Sequence, residues 1–252
     1  MINLKNITKK YGEKAVVDQV NLTLPKGKII AFVGSNGAGK STLISIFSRI
    51  LSKDYGEVYI DDKELKDWNT KELSKHLSIL KQSNHLNIRL TIRELVSFGR
   101  FPYSQGKLTK EDEKKVEDAI HYMGLAYLQD RYLDELSGGQ RQMAYIAMVI
   151  AQDTDYIFLD EPLNNLDMKH SVLIMKTLRN LVDELGKTIM VVIHDINFVS
   201  CYADYVVAMK NGRIIRHGET ADIINSHVLN QVYDMDISIQ NVGNKKICLY
   251  YG

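Results

Sequence analysis

The sequence predicts an α/β fold that combines a mixed central sheet, an N-terminal antiparallel β subdomain and an inserted α-helical subdomain. Three observations support this fold class. Residues 2–8 and 14–24 alternate apolar and polar side chains, as antiparallel strands with one solvated face do. Short β-branched runs, such as residues 28–33, are typical of buried parallel strands. From about residue 84 to residue 153 the spacing is helical, and no strand is predicted there.

A glycine-rich loop joins the strand at 28–33 to a predicted helix at 41–47. Residues 34–41 have the sequence Gly-Ser-Asn-Gly-Ala-Gly-Lys-Ser, which fills every position of the phosphate-binding pattern G-x-x-x-x-G-K-[ST]. This pattern between a strand and a helix predicts the core of a P-loop NTPase. The residues expected to hold the phosphates of a nucleoside triphosphate are Gly34, Ser35, Asn36, Gly37, Ala38, Gly39, Lys40, Ser41 and Thr42.

The chemistry of this loop follows from its residue types. Glycines let the chain turn tightly and bring backbone N–H groups within reach of phosphate oxygens. The helix N-terminus adds free N–H groups and the positive end of its dipole. Lys40 supplies a full positive charge for the outer phosphates, and the Ser41 hydroxyl can ligate Mg²⁺.

Two candidate residues lie at strand ends on either side of the loop. Tyr11 follows the first strand and could stack on a purine, although a lone tyrosine at a strand end is usually a packing residue. Further strands are predicted at residues 55–60 and 77–81. The second ends at Gln82, whose side-chain carbonyl can reach Mg²⁺ or a water molecule. Spacing alone does not single out this glutamine.

The inserted segment contains three predicted helices, at residues 91–98, 109–123 and 139–151, with a capping start at Thr109. The third follows Leu-Ser-Gly-Gly-Gln-Arg at residues 136–141. A serine and two glycines before a helix form a second N-terminus able to face a phosphate, here without a lysine. The alternative is an N-cap serine in a flexible turn. The candidate binding residues are Ser137, Gly138, Gly139 and Gln140.

Acidic and histidine side chains follow two further buried strands. The strand at 156–161 ends in two acids, at the position where nucleotide-binding sheets hold Mg²⁺. Asp160 is therefore a candidate metal ligand, and Glu161 is a candidate general base. The strand at 188–193 delivers His194 to the same edge, where it can contact the terminal phosphate. A lone histidine after a strand is otherwise most often structural.

The remaining elements complete the prediction. A helix at 168–185 ends at Gly186. A hairpin joins strands near 204–209 and 212–217 through an Asn-Gly turn. Residues 220–252 are expected to form a small helix-and-strand tail. The apolar face predicted for the long helix comprises Met168, Val172, Met175, Leu178, Val182 and Leu185.

Length and composition set limits on the class of protein. A chain of 252 residues fits one domain, with residues 1–83 and 154–252 as an α/β core around the helical subdomain at about 84–153. The formal net charge is +1 and the charges are interspersed, so no nucleic-acid partner is expected. Cys201 and Cys248 have no metal-ligand spacing and are interpreted as reduced packing residues.

No targeting or membrane segment is predicted. The N-terminal residues lack the apolar core of a signal peptide. The longest apolar runs are far too short to span a bilayer. We therefore expect a soluble, cytosolic protein whose membrane role, if it has one, comes through a partner.

As a set, these motifs resemble those of the ATP-binding cassette (ABC) ATPases across nearly the whole chain. Residues 34–41 match the Walker A loop, and residues 136–140 are a full LSGGQ signature. Residues 157–160 match Walker B, and Glu161 falls at the position of the catalytic glutamate. The signature between the two Walker motifs makes the resemblance highly specific.

Four further positions agree with the same family. Tyr11 falls at the adenine-stacking aromatic position, and Gln82 falls at the Q-loop. Residues 163–167 fall at the D-loop, and His194 falls at the switch histidine. The tripeptide Leu-Asn-Asn at 163–165 departs from the Thr-Ser-Ala or similar run of many cassettes and leaves the Walker residues intact.

The resemblance implies that two copies of the chain sandwich two ATP molecules head to tail, with Mg²⁺ at each site. Walker A of one subunit and the signature of the other would hold each nucleotide, and water would attack the γ-phosphate. The catalytic residues implied in one subunit are Lys40, Gln82, Glu161 and His194. The implied Mg²⁺ ligands are Ser41, Gln82 and Asp160. The residues contributed by the partner are Ser137, Gly138 and Gly139.

A narrower resemblance concerns the cargo. Residues 87–103 are similar to the segment after the Q-loop in bacterial metal-chelate importers. Residues 147–153 and 161–167 are similar to the iron–siderophore branch of that group. This implies the ATPase subunit of an iron–siderophore importer, peripheral on the cytoplasmic face of the cell membrane. Its implied partners are integral permease subunits and, indirectly, a substrate-binding lipoprotein.

Other functions stay open at this point. The cargo could be another metal chelate or a cobalamin-like compound, and the cassette could serve an exporter, although exporters often carry a fused membrane span. A soluble cassette acting on ribosomes or DNA is a different class. Such proteins commonly contain two cassettes or a long coiled-coil insertion, and this chain has neither. A plain P-loop kinase has no use for LSGGQ.

Overall fold

The computed structural model describes residues 1–82, 88–243 and 245–250. Its strands are β1 (Ile2–Tyr11), β2 (Lys14–Leu24), β3 (Ile29–Val33), β4 (Tyr55–Ile60), β5 (Lys63–Glu64), β6 (Leu77–Leu80), β7 (Tyr156–Asp160), β8 (Thr188–Val192), β9 (Tyr205–Lys210), β10 (Arg213–Glu219), β11 (Ser238–Val242) and β12 (Lys245–Leu249). Its α-helices are α1 (Lys40–Phe47), α2 (Thr70–His76), α3 (Ile92–Phe98), α4 (Phe101–Ser104), α5 (Lys110–Tyr122), α6 (Gly138–Ala151), α7 (Met168–Leu185), α8 (Ile196–Tyr202), α9 (Thr220–Ile223) and α10 (Ser226–Tyr233).

The mixed central sheet has six strands in the order β10-β9-β3-β8-β7-β6, as the fold class predicted. β10 is antiparallel to β9, and all other neighbours are parallel. Every residue of β3 and β8 is buried, which explains their continuous apolar sequences. Because β3, β6, β7 and β8 run in the same direction, the segments that follow them share one edge of the sheet.

Each face of the central sheet is covered by a different layer. On one face, Ile30 and Phe32 pack with α1 and with the N-terminal antiparallel sheet, whose strand order is β2-β1-β4-β5. The rings of Phe32 and Phe158 each lie 6.2 Å from Phe47, centroid to centroid. On the opposite face, Ile29 and its same-face neighbours in β3 pack with helices α3, α5, α6 and α7. Removing both apolar faces from water is the main favourable term in forming this core.

The helical segment contains the three predicted helices, α3, α5 and α6. Capping boxes begin all three, at Thr91, Thr109 and Ser137, so local sequence fixes where each helix starts. Among described residues 88–153, the strand-type pairing is confined to one isolated bridge between Thr91 and Tyr132. The first part of the predicted segment, residues 84–87, lies outside the described residues.

A buried ion pair joins the helices of this segment. Arg100 is 5% exposed, and its Nε donates to Asp112 Oδ1 over 2.9 Å. Its Nη1 donates to the carbonyl oxygen of Ala151 over 2.8 Å. The guanidinium therefore links the chain after α3 to the first turn of α5 and the last turn of α6.

The bounds predicted for α7 are confirmed, but part of its predicted apolar face is wrong. Met175 and Leu178 are fully buried, whereas Met168 and Leu185 are 79% and 56% exposed. These two residues occupy the first and last positions of the helix, beyond the neighbouring elements that cover its middle. The methionines of this helix are therefore not all core residues. Gly186 ends the helix in the left-handed conformation, with φ 63°, as predicted.

Several short elements were not predicted. They are the seven-residue helices α2 and α8, the four-residue helix α4, and the two-residue strand β5. Helices of two turns or fewer give a weak periodic signal: α3, of seven residues, was predicted, whereas α2 and α8, of the same length, were not. The tail contains helices and strands as expected, and its hairpin β11–β12 packs on α8 through a reciprocal pair of hydrogen bonds between Asn197 and Cys248. Both cysteines are free thiols.

None of the helices in the described parts of the chain combines the length and the apolar character that crossing a bilayer requires.

Candidate functional site

A pocket of about 480 Å³ opens at the shared edge of the central sheet. Four of its lining segments follow β3, β6, β7 and β8, so the parallel sheet brings together residues far apart in sequence. The lining residues are Asn36, Gly37, Ser41, Gln82, Glu161, Asn164 and His194.

Two glycines of the phosphate loop are required by close backbone contacts. A Cβ atom on Gly34 would lie 2.1 Å from the carbonyl oxygen of Met209, and Gly34 has φ 141°. A Cβ atom on Gly39 would lie 2.5 Å from the carbonyl oxygen of Val16, and Gly39 has φ 98°. Any larger residue at either position would push the loop away from the strands behind it.

The turn between β9 and β10 supports this loop from behind. The backbone N–H of Gly212 donates to the carbonyl oxygen of Ala38 over 3.1 Å. The carbonyl of Gly212 in turn accepts from the N–H of Asp18 over 2.9 Å. Asn211 and Gly212 both have positive φ, as a tight two-residue hairpin turn requires. The loop is therefore hydrogen-bonded to the hairpin turn, which is in turn hydrogen-bonded to β2.

Lys40 lies inside the curve of the loop. Its Nζ donates to the carbonyl oxygens of Gly34 over 2.8 Å and Ser35 over 3.0 Å. Burial lowers the pKa of the Lys40 ammonium, and the nearby carboxylates of Glu161 and Asp160 act in the opposite direction. A buried cation beside bent backbone N–H groups is suited to a phosphate chain.

Ser41 and Asp160 are in direct contact, although 119 positions separate them. The Ser41 hydroxyl donates to Asp160 Oδ1 over 2.8 Å. Burial is the main cause that raises the pKa of the Asp160 carboxyl. The Ser41 hydroxyl and the poorly solvated Asp160 carboxylate thus place two oxygen atoms side by side. Oxygen ligands of this kind fit a hard cation such as Mg²⁺.

The Glu161 carboxylate accepts two side-chain hydrogen bonds and lies against the ring of a histidine. Gln82 Nε2 donates to Oε2 over 2.6 Å, and Asn164 Nδ2 donates to the same oxygen. His194 Nε2 lies 2.7 Å from the other oxygen, Oε1. Glu161 has φ 54°, so the chain turns sharply as it leaves β7 and aims this side chain into the pocket.

Tyr11 lies apart from these contacts at the end of the N-terminal hairpin. It is 56% exposed and is paired in register with Lys14. The ammonium of Lys9 lies 5.8 Å from its ring centroid. The ring thus offers an exposed face of the kind a base can stack on.

The signature residues form a separate site within the chain. Ser137 caps α6: its Oγ accepts from the N–H of Gln140 over 3.2 Å, and its own N–H donates to Gln140 Oε1 over 3.0 Å. Gly138 is open to solvent, whereas a Cβ on Gly139 would lie 2.7 Å from the ring of His170. None of residues 137–140 is among those lining the pocket.

Every residue that lines the pocket except Asn164 is among the site residues predicted from the sequence. The departure at 163–165 was noted without a link to Glu161. The spacing was the available signal, since an amide three residues after an acid in a tight turn can reach back to its carboxylate. Here the N–H of Asn164 donates to the carbonyl oxygen of Glu161 over 3.3 Å, which closes that turn.

Comparison with known proteins now identifies the family. The model of the ABC transporter family matches residues 17–164, more than half of the chain. The chain belongs to the ABC transporter family. The predicted ATPase class and the use of ATP are those of this family, and the α/β cassette fold is confirmed.

Characterised cassettes similar to this one include two from Bacillus subtilis. The petrobactin import ATP-binding protein YclP is 61% identical over 251 residues, covering 100% of both chains. The iron(3+)-hydroxamate import ATP-binding protein FhuC is 39% identical over 245 residues, covering 96% of this chain and 91% of its own. The resemblance to the iron–siderophore branch is therefore confirmed.

Solved cassette structures have the same architecture. A metal-chelate type ABC transporter in an inward-facing conformation gives a TM-score of 0.86 at 25% identity, covering 99% of this chain and 97% of its own. A dimeric bacterial ABC transporter cassette gives a TM-score of 0.78 at 32% identity, covering 87% of this chain and 99% of its own.

Proposed function

We propose that this chain is the ATP-hydrolysing subunit of a bacterial importer for ferric siderophores, and that it works as a head-to-tail dimer beneath a membrane permease. One observation carries the ATPase part of the proposal. Lys40 lies within the phosphate loop, Ser41 contacts Asp160, and both Ser41 and Glu161 line a pocket that the signature residues do not line. This arrangement supports a nucleotide site of which one part lies in the chain and the rest comes from a partner.

In the proposed mechanism the loop residues cradle the phosphates of ATP, and Lys40 exchanges its backbone carbonyl partners for phosphate oxygens. Tyr11 stacks on the adenine. Ser41, Gln82 and Asp160 would hold Mg²⁺, which neutralises charge on the phosphate oxygens when it is bound. Each of these three side chains would bind Mg²⁺ through an oxygen atom.

Hydrolysis is then an in-line displacement at the γ-phosphate. Glu161 accepts the proton of the attacking water. His194 moves from the Glu161 carboxylate to contact the γ-phosphate. The partner subunit's signature helix closes the site by presenting Ser137 and the glycines after it. A capping serine at an exposed helix N-terminus supports this role, because free N–H groups there attract anions.

The dimer couples nucleotide binding to movement. ATP contacts both subunits only when they are closed, so binding favours the closed dimer and hydrolysis reopens it. We take residues 1–83 and 154–252 as the nucleotide-binding core and residues 84–153 as the helical subdomain that carries the signature. The permease lies in the membrane, and the dimer is peripheral on its cytoplasmic face.

The cargo assignment follows from the relatives. Proteins 61% and 39% identical over nearly the whole chain serve petrobactin and iron(3+)-hydroxamate import. Ferric petrobactin is therefore the first cargo to test, with a substrate-binding lipoprotein delivering it to the permease. The cassette itself is not expected to contact the cargo.

Transport in reconstituted vesicles tests this function. The chain is purified with its permease, the substrate-binding lipoprotein is added, and ATP-dependent uptake of ferric petrobactin is measured. We expect uptake with the wild-type chain and none with Glu161→Gln, which retains ATP binding. A chain that hydrolyses ATP but drives export, or that co-purifies with ribosomes instead of a permease, would contradict the proposal.

A further inference from the structure

The pocket contains one polar side chain that the mechanism above does not use. Asn164 lines the pocket and directs its amide at Glu161, donating from Nδ2 to Oε2. Gln82 donates to that same oxygen over 2.6 Å, while His194 approaches Oε1. Both oxygens of the carboxylate therefore contact polar side chains of the pocket.

The local backbone fixes Asn164 in this position. The hydrogen bond from its N–H to the carbonyl of Glu161 closes one turn, and the N–H of Leu166 closes the next on Leu163. Asn165 between them is left-handed, with φ 60°. Asp167 then caps α7, accepting from the N–H of His170 over 2.8 Å. These turns hold the backbone of Asn164, and its exposed side chain reaches the Glu161 carboxylate through the amide.

Gln82 and His194, the other two side chains in contact with Glu161, also have roles toward the metal and the phosphate in the proposed mechanism. Gln82 also has a carbonyl oxygen available for the metal, and His194 faces the terminal phosphate in the proposed mechanism. When they engage the nucleotide, their hold on Glu161 weakens. Asn164 has no such duty, because it belongs to the same turn as the carboxylate and moves with it.

We propose that Asn164 is a positioning residue for the catalytic glutamate. By keeping Oε2 hydrogen-bonded, it fixes the rotation of the carboxylate so that Oε1 points to the attacking water once His194 withdraws. The water proton moves to Oε1 as the water oxygen bonds to the γ-phosphorus and the bond to the ADP oxygen breaks. This inference rests on the proposed function, since it assumes that Glu161 is the base.

Kinetics of two variants test the proposal. Asn164→Asp keeps the shape of the side chain and replaces its donor with an acceptor, while Asn164→Ala removes the amide. Because hydrogen bonds to charged groups are stronger than those between neutral groups, we expect kcat to fall about tenfold or more in both. The KM for ATP should stay within about twofold, because Asn164 holds the base and not the substrate. Asn165→Gly, which suits the left-handed backbone, is the matched control and should retain the wild-type kcat.

The Glu161→Gln background distinguishes a positioning role of Asn164 from a role in the contact between subunits. Glu161→Gln should form an ATP-dependent dimer that does not hydrolyse, and adding Asn164→Ala should leave that dimer as stable in gel filtration. Loss of the dimer in the double variant, or an unchanged kcat in both single variants, would overturn the positioning role. Absence of ATPase activity in the wild-type chain would instead refute the proposed function.

Discussion

At the scale of single residues, the site depends on a few positions where only one residue type fits. Gly34 and Gly37 belong to the same phosphate loop and both have positive φ, 141° and 77°. Their surroundings differ. A Cβ on Gly34 would strike the backbone of Met209, whereas a Cβ on Gly37 would meet no other atom within 4 Å.

This contrast gives a prediction for the two glycines. In Gly34→Ala, the added Cβ would force the loop away from the backbone of Met209. This should destabilise the protein by at least ~3 kcal/mol, which corresponds to a fall in Tm of about 10 °C. Gly37→Ala adds only the cost of a left-handed alanine, about 1 kcal/mol, and should lower Tm by about 3 °C. Thermal unfolding followed by circular dichroism without nucleotide measures both. Equal shifts would show that the contact with Met209 does not constrain the loop.

The residues that carry chemistry were the easiest to predict. Lys40, Ser41 and Asp160 occupy fixed positions in motifs whose residue types follow from phosphate and metal chemistry. Asn164 was missed because its function depends on a turn geometry that closes through Glu161, and this geometry is not encoded in any single residue type.

At the scale of elements, the helical segment is held by polar groups as well as by its apolar core. Asp112 accepts from the Thr109 N–H over 3.0 Å at the start of α5, and it also pairs with the buried Arg100. The hydrogen bond from the Thr109 N–H is the largest cause that lowers the pKa of the Asp112 carboxyl. Because the folded pKa is depressed, this contribution to stability is present at neutral pH and is lost as the pH falls below the ordinary value of about 4.

Asp112→Asn should therefore destabilise the segment. The change leaves Arg100 as a buried charge without its partner, which costs ~3 kcal/mol. Asp118→Asn, on the exposed face of the same helix, is the matched control and should change stability by less than about 0.5 kcal/mol. Urea unfolding at neutral pH compares the two. A similar midpoint for both variants would mean that Arg100 finds water or another acceptor.

Element prediction succeeded where a pattern was long or had a clear boundary. The capping start at Thr109 and the 18-residue α7 were predictable because propensity, periodicity and caps agree. The residues at the two ends of α7 were predicted on the apolar face but are exposed, because periodicity gives the direction of a side chain and not what covers it. Met168 has the right phase and nothing packed over it.

At the scale of the whole molecule, the proposed function requires two copies of the chain to combine the pocket with the signature helix. In the proposed head-to-tail pair, the pocket of one subunit would close on the Ser137 of the other. Neither half of the site can therefore be repaired within its own chain, but it can be supplied by a different one.

Mixing two inactive variants tests this arrangement. Lys40→Ala removes the phosphate-binding cation, and Ser137→Arg blocks the signature, so each homodimer should be inactive. In a mixed dimer, one of the two sites combines an intact Lys40 with an intact Ser137, so equal mixing should restore roughly a quarter of the wild-type sites. ATPase activity of the mixture, against each variant alone, measures the recovery. An inactive mixture that nevertheless contains mixed dimers would exclude a site shared in this way.

The brace formed by Gly212 behind the phosphate loop has a consequence for energy transduction. Because hydrogen bonds hold Ala38 and Lys40 in place, the loop of the proposed nucleotide site is preorganised, and binding would lose little affinity to ordering the chain. In the proposed dimer, more of the free energy of ATP binding would then be available to draw the two subunits together. Under that proposal, the two-residue hairpin turn contributes to the efficiency with which nucleotide binding moves the permease.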